Sequence, residues 1–279
     1  MKKTDYIIFT DLDGTLLDAE NYSASAAFDA LQFIRENRIP LVFVTSKTAM
    51  EIQRYRKILK NTHPFICENG GGIYIPRGYF DGTIQEDKFD IIGLGAEYSM
   101  LKIELKSAAA KLKIELTGIS DMTDNEIMKF TGIQKEEVPL ARQRGFDEPF
   151  VIKSGDPNTD AEKLEQYFSD KGLIITRGNR FFHLMGNSDK GMAIEHLLSR
   201  YIGAFGDNLT SIGFGDSPND LSMFKAVDIP VVVKKPPSPG HYDPQLRNFP
   251  GVVLSDGIGP AGWNKSALQI VKQKTNITQ

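Results

Sequence analysis

Apolar runs that stop abruptly at polar loops recur along the chain and predict its strands. Tyr6-Ile7-Ile8-Phe9 reads as a strand buried on both faces. Ile39 to Val44 is a second, with Pro40 near its start, and Pro64-Phe65-Ile66-Cys67 is a short third, followed by the apolar Ile73-Tyr74-Ile75. Between the first two, Ala26, Ala27, Ala30, Leu31 and Ile34 fall at helical spacing within 23–35; after the second, Met50, Ile52, Tyr55, Ile58 and Leu59 do the same. Strand, helix, strand, helix, strand predicts a parallel sheet with right-handed crossovers.

From about 85 to 185 short strands and helical patterns alternate differently. Thr123-Asp124-Asn125-Glu126 and Thr159-Asp160-Ala161-Glu162 read as capping boxes that open helices. Phe150 to Ile152 and Leu173 to Thr176 read as strands, and Arg177-Gly178-Asn179 as a tight turn into Arg180 to Met185, making a hairpin. The first pattern then resumes. Ser188 or Asp189 caps a helix running to about Tyr201, and Thr210 to Phe214 is a strand. Ser217-Pro218 opens another helix with proline at its favoured first position. Ile229 to Val233 is the last clear strand, before a proline-rich surface loop from Lys234 to Gly240 and a final amphipathic helix. The expected organisation is a discontinuous α/β core, 1–84 with 186–279, and an inserted α+β unit, 85–185.

At 279 residues, 41% hydrophobic and 25% charged, the chain has the size and composition of a globular protein with ample core. A net charge of -3 gives no general attraction to nucleic acid. The single cysteine, Cys67, excludes an intramolecular disulfide, and four histidines show no zinc spacing. Asp11 and Asp13 interrupt the first apolar run too early for a signal peptide, and no run reaches membrane-span length. No membrane partner is expected, and the expected compartment is a reducing cytoplasm.

The ends of the strands carry the chemistry. The first ends in Asp11-Leu12-Asp13-Gly14-Thr15, and Gly14 allows the turn that two nearby carboxylates need to face one site. An EF-hand loop is excluded, because a strand precedes, the fifth position is Thr15 and the twelfth is Tyr22. The second strand ends in Thr45, a hydroxyl donor, with Lys47 close behind. Lys190 stands at the start of a helix beside Gly191, where backbone N–H groups favour an anion. Gly213 to Asp220 adds the carboxylates of Asp216 and Asp220 and the amide of Asn219. Each loop alone also reads as ordinary helix capping or a solvated lysine. Together, on one sheet edge, acids for a hard cation, a lysine and a hydroxyl describe phosphoryl transfer.

Through Asp11-Leu12-Asp13-Gly14-Thr15, Thr45, Lys190 and Gly215-Asp216-Ser217-Pro218-Asn219-Asp220, the chain resembles the haloacid dehalogenase-like (HAD) phosphatases. The resemblance implies a Rossmann-like core, and the insertion resembles the C2-type cap of that superfamily. Within it, Val44-Thr45-Ser46-Lys47-Thr48, Glu68-Asn69-Gly70, Arg180 to Gly186 and Gly259-Pro260-Ala261-Gly262-Trp263-Asn264 look like the mannosyl-3-phosphoglycerate phosphatases. One departure is Arg144-Gly145-Phe146-Asp147-Glu148, where Arg-Glu-Tyr-Ser-Glu is expected.

What the resemblance implies is a Mg²⁺-dependent phosphomonoester hydrolase. Asp11 is the expected nucleophile and Asp13 the general acid and base. Thr45 and Lys190 face the phosphate oxygens. The metal set is Asp11, Asp13 through its main-chain carbonyl and Asp216, with Asp220 supporting the metal shell or orienting Lys190. Candidates for reading the rest of a phosphorylated glycosyl glycerate or sugar phosphate are Lys47, Asn69, Arg144, Glu148, Arg177, Arg180, His183 and Asn219.

Overall fold

The computed structural model describes residues 5–153, 155–177, 180–237 and 240–275. In chain order the first strands and helices are β1 (Tyr6–Thr10), α1 (Phe28–Glu36), β2 (Leu41–Val44), α2 (Ala49–Leu59), β3 (Phe65–Cys67), β4 (Gly72–Arg77) and β5 (Gln85–Gly93). Next come α3 (Tyr98–Leu112), β6 (Leu116–Gly118), α4 (Asp124–Thr131), α5 (Val138–Ala141), β7 (Asp147–Ile152), α6 (Pro157–Ser169), β8 (Leu173–Arg177) and β9 (Phe182–Gly186). The chain continues with α7 (Lys190–Phe205), β10 (Thr210–Gly215), α8 (Leu221–Lys225), β11 (Ile229–Lys234), α9 (Pro244–Arg247), β12 (Val253–Ile258) and α10 (Gly259–Thr275).

Two sheets result. The larger runs β12-β11-β10-β1-β2-β3-β4-β5, parallel from β12 to β3 and antiparallel over its last two pairings. The smaller is antiparallel, in the order β6-β7-β9-β8. β1 lies at the middle of the large sheet, so all five of its residues are buried. Ile8 and Phe43 pack with Trp263 of α10 on one face, and Ile7 and Phe9 pack with Ile194 and Leu197 of α7 on the other. Burial on both faces is why these strands read as unbroken apolar runs. In the small sheet Phe150 and Leu184 pack against Leu101, Leu105, Leu164 and Phe168 of α3 and α6. Among the described residues no helix is long and apolar enough to cross a membrane.

Local signals explain most element ends. Thr48 accepts from Glu51 N while the Glu51 carboxylate accepts from Thr48 N, so α2 begins on a complete capping box, as α4 does at Thr123 and Glu126. Such a cap stabilises a helix by about 1 kcal/mol. Of the two candidates for α7, Asp189 is the cap, accepting from Met192 N at 2.8 Å.

Several expectations are corrected. β2 begins at Leu41, after Pro40, which has no N–H for the ladder. The box expected at Thr159 is absent: α6 starts three residues earlier than that cap implies, at Pro157, and Asp156 caps it through Asn158 N and Thr159 N. Ile229–Lys234 is not the last strand, because β12 pairs parallel with it as the sheet edge. The strand 85–93, expected within the insertion, hydrogen-bonds β4 and extends the large sheet. The hairpin of β8 and β9 forms; Gly178 and Asn179 of its turn lie outside the described residues, as do Ser238 and Pro239 of the proline-rich loop.

Candidate active site

The carboxyl ends of β1, β2 and β10 open on one edge, together with the start of α7. After β1 the chain folds back at once, with Thr15 N and Leu17 N both donating to Leu12 O and Gly14 N to Leu17 O. Gly14 has φ +79, and a β carbon there would stand 3.0 Å from Asp216 Oδ2. The loop is therefore tight enough to bring the Asp216 carboxylate against the backbone. Below it, Trp263 Nε1 donates to Thr10 Oγ1, which donates to the Asp11 carbonyl.

Asp11, Asp216 and Asp220 converge, each offering a carboxylate oxygen within 4.8 Å of the others. Lys190 Nζ lies 2.6 Å from Asp220 Oδ1 and 3.3 Å from Asp11 Oδ1. The other Asp220 oxygen accepts from the backbone N–H of Asp216 and Ser217, which fixes the loop after β10. Thr15 Oγ1 donates to Asp216 Oδ1 at 3.1 Å. Burial pushes the Asp11 carboxyl well above the carboxylate range; Lys190 pulls it down, and Asp220, Asp216 and Asp13 push it up again. Burial works against the Lys190 charge, but Asp11 and Asp220 outweigh it and raise its pKa. Three buried carboxylates outnumber the two lysines that reach them, Lys190 and Lys235, and leave an excess of negative charge, which an all-oxygen donor set satisfies with a hard divalent cation. The residues fit Mg²⁺ on that ground.

Asp13 points elsewhere. Its Oδ2 is 2.9 Å from Lys47 Nζ, and its buried Oδ1 has no hydrogen-bond partner among the described residues. Lys47 Nζ also lies 3.9 Å from Glu51 and 4.8 Å from the Tyr22 ring centroid. Thr45 is buried at the end of β2, accepting from Asn69 N through its carbonyl. Asn69 Oδ1 accepts from Asn219 Nδ2 at 2.9 Å, joining the turn after β3 to the loop after β10.

Above these groups lies a cavity of about 300 Å³, with Asp11, Asp13 and Asp216 at its floor. Its wall carries Lys47, Arg144, Arg180, His183 and Lys235, and Ile119, Ile133 and Phe181 add apolar surface, with the Phe181 ring edge-to-face with His183. Arg144 Nη1 and His183 Nδ1 both meet Asp147 Oδ2, at 3.2 and 2.8 Å. Glu68 fastens this wall to the core by accepting from Gly145 N and Phe146 N; burial raises its carboxyl to about 7 against the pull of Arg144.

Thr45, Asn69, Lys190 and Asp220 are buried and do not line the cavity themselves, and two further sequence candidates stand apart from the site altogether. Glu148 is one residue from Asp147 on β7 and so faces the other side of the sheet, where it accepts from Ser120 N and Ser120 Oγ. Arg177 lies over the Phe182 ring and donates to Asn158. Sequence reasoning missed Lys235, whose Nζ is 3.6 Å from Asp216 Oδ2, because its proline-rich surroundings read as plain surface. It also missed Tyr22, for which only position after a motif loop offered a signal, and gave no role to Glu68, although Glu68-Asn69-Gly70 stands among the marks of the resemblance.

Residues 8–237 match the model of the haloacid dehalogenase-like hydrolases. A glucosyl-3-phosphoglycerate/mannosyl-3-phosphoglycerate phosphatase of Methanococcoides burtonii is 39% identical over 276 residues, covering 98% of this chain and 99% of that protein. A mannosyl-3-phosphoglycerate phosphatase of Pyrococcus furiosus is 34% identical over 230 residues, covering 81% and 90%. Among solved structures, a Thermoplasma acidophilum protein superposes with a TM-score of 0.67 at 16% identity, covering 96% of this chain and 98% of its own, a likeness of fold.

Proposed function

The chain belongs to the haloacid dehalogenase-like hydrolases, and on that premise we propose that it is a phosphatase acting on glucosyl- and mannosyl-3-phosphoglycerate. The observation that carries the reading is the wall above Asp11. Lys47, Arg144, Arg180 and Lys235 surround the cavity. Three of them also face a carboxylate of the protein, Lys47 with Asp13, Arg144 with Asp147 and Lys235 with Asp216, and a cationic rim of this kind suits a substrate with a second anionic group, such as a glycerate carboxylate. The sugar then falls to the apolar side and to His183. Two-sugar naming of the M. burtonii relative supports acceptance of both epimers rather than the mannosyl compound alone.

In this mechanism an Asp11 carboxylate oxygen attacks phosphorus, and the P–O bond to the glycerate breaks. Asp13 gives its proton to the departing oxygen. Water then attacks the phosphorus of the aspartyl-phosphate while Asp13 takes its proton, and the products are glycosylglycerate, phosphate and a restored Asp11. Lys190 and Thr45 stabilise charge on the equatorial oxygens. Lys47 holds Asp13 near the leaving group, and Asn219 steadies the loop of Asp216 through Asn69. A Mg²⁺ ion held by Asp11, Asp216 and Asp220, with the main-chain carbonyl of Asp13, would offset repulsion between the attacking carboxylate and the phosphate. The stretch from α3 to β9 supplies much of the wall and, in this reading, acts as the specificity lid. Cys67 is free and buried, which suits a reducing compartment, and we place the enzyme in the cytoplasm.

The test is phosphate release from the mannosyl and glucosyl compounds side by side, with and without Mg²⁺. Release from both with Mg²⁺, and from neither without it, is expected. No release from either in the presence of the ion would remove the reading.

A further inference from the structure

We propose that Tyr22 is a positioning residue that couples closure of the wall over the cavity to the orientation of Asp13. The proposal rests on the phosphatase reading above. Tyr22 lies in the loop that follows β1 and has φ +57, a conformation that residues with a side chain rarely hold unless their surroundings require it. Its backbone N–H donates to Asp18 O at 3.0 Å, which keeps the loop coiled.

The two ends of its side chain do different things. The hydroxyl donates to Thr131 O, at the end of α4, at 2.5 Å, and accepts from Arg180 Nη1 at 2.7 Å. Arg180 also donates through Nη1 to Thr131 O and through Nη2 to Ala19 O, the latter at 3.2 Å. Three stretches far apart in sequence thus meet on one phenol oxygen and one guanidinium: the loop after β1, the end of α4, and the approach to β9. The ring supports Lys47 Nζ, 4.8 Å from its centroid, with the Tyr55 ring 5.6 Å away on another side. A cation over an aromatic face is attracted by the ring quadrupole. Lys47 in turn holds Asp13 Oδ2 at 2.9 Å.

The contacts therefore form one chain, Arg180 and Thr131 to Tyr22 to Lys47 to Asp13, whose first link exists only while the wall lies over the loop. Opening would break the hydroxyl contacts and free the ring. Lys47 would then lose one of its two aromatic neighbours, and Asp13 would lose its fixed bearing. Closing would restore both. Hydroxyl and ring are chemically separable, which allows each to be tested.

The full chain with Mg²⁺ is assayed as Tyr22→Phe and Tyr22→Leu on glucosyl- and mannosyl-3-phosphoglycerate. Tyr22→Phe keeps the ring and loses the tether; saturating substrate still draws the wall over the loop and seats the ring beside Lys47, so KM should rise about tenfold while kcat falls no more than about twofold. Tyr22→Leu loses both, so KM should rise similarly and kcat should fall at least about fivefold. An unchanged KM in Tyr22→Phe, or an equal kcat in the two variants, overturns the proposal. Amide hydrogen exchange without substrate supplies a second reading, with faster exchange at 18–22 and at the end of α4 expected in Tyr22→Phe. If the wild-type protein releases phosphate from neither compound, the phosphatase reading fails and exchange alone decides. Faster exchange then upholds the tether, and unchanged exchange overturns it.

Discussion

Gly70 packs so closely on Asp189 that a β carbon at position 70 would stand 2.1 Å from the Asp189 carbonyl oxygen and 2.8 Å from Lys190 N. Its φ is +100. The turn after β3 is thereby pressed against the start of α7, which carries Lys190 into the carboxylate cluster. Gly70→Ala should destabilise the protein by at least about 3 kcal/mol, because backbone opposes backbone and neither can give way cheaply. Urea denaturation would show it as a lowered midpoint.

Asp11→Asn should leave a cooperative melting transition and lower phosphate release by roughly 10⁴-fold or more, since an amide cannot replace the attacking carboxylate. A variant within tenfold of wild type would remove Asp11 from its role.

Mg²⁺ should raise the melting temperature of the wild type, because an ion that binds only the folded cluster stabilises it by about 2.7 kcal/mol at a hundredfold excess over Kd. Asp216→Asn should abolish that rise. Thermal scans with and without chelator measure both. A rise that persists in the variant would place the ion elsewhere.

His63 gives a pH signature far from the cavity. Its Nδ1 pairs with the Tyr79 hydroxyl at 2.6 Å, and the Tyr201 hydroxyl donates to Tyr79 at 2.9 Å. Burial, aided by Arg56, lowers its pKa to about 4. A folded pKa below the unfolded value of about 6.5 means stability that is complete above that pH and lost as pH falls from 6.5 towards 4. His63→Gln lacks this loss, so the wild type should lose melting temperature relative to the variant over that window. A constant difference between the two would contradict it.

Much of the architecture was legible because the central strands are buried on both faces, so that Tyr6–Phe9, Val42–Val44 and Ile212–Phe214 carry unbroken apolar signals. The sheet edges were not. Most of β5 and half of β12 are exposed, with Ile91 at 56% and Leu254 at 43%, and an exposed strand has no hydrophobic pattern to betray it. The convergence of Asp11 and Asp216 was legible because the loops after parallel strands share one edge, and Lys190 joins them from the start of α7. Glu148 shows the opposite case: it lies one position from Asp147, and one position on a strand reverses the face. Neither composition nor motif spacing carries that parity. Lys235 and Tyr22 act through contacts with distant residues, which a linear reading does not order.

Trp263 lies 253 positions from the Thr10 hydroxyl it grips. During synthesis on the ribosome, therefore, every reacting side chain is made before the indole that steadies the first of them. A nascent chain stalled after β12 would hold these side chains and lack the wedge beneath them, so competence should arrive abruptly, once α10 emerges.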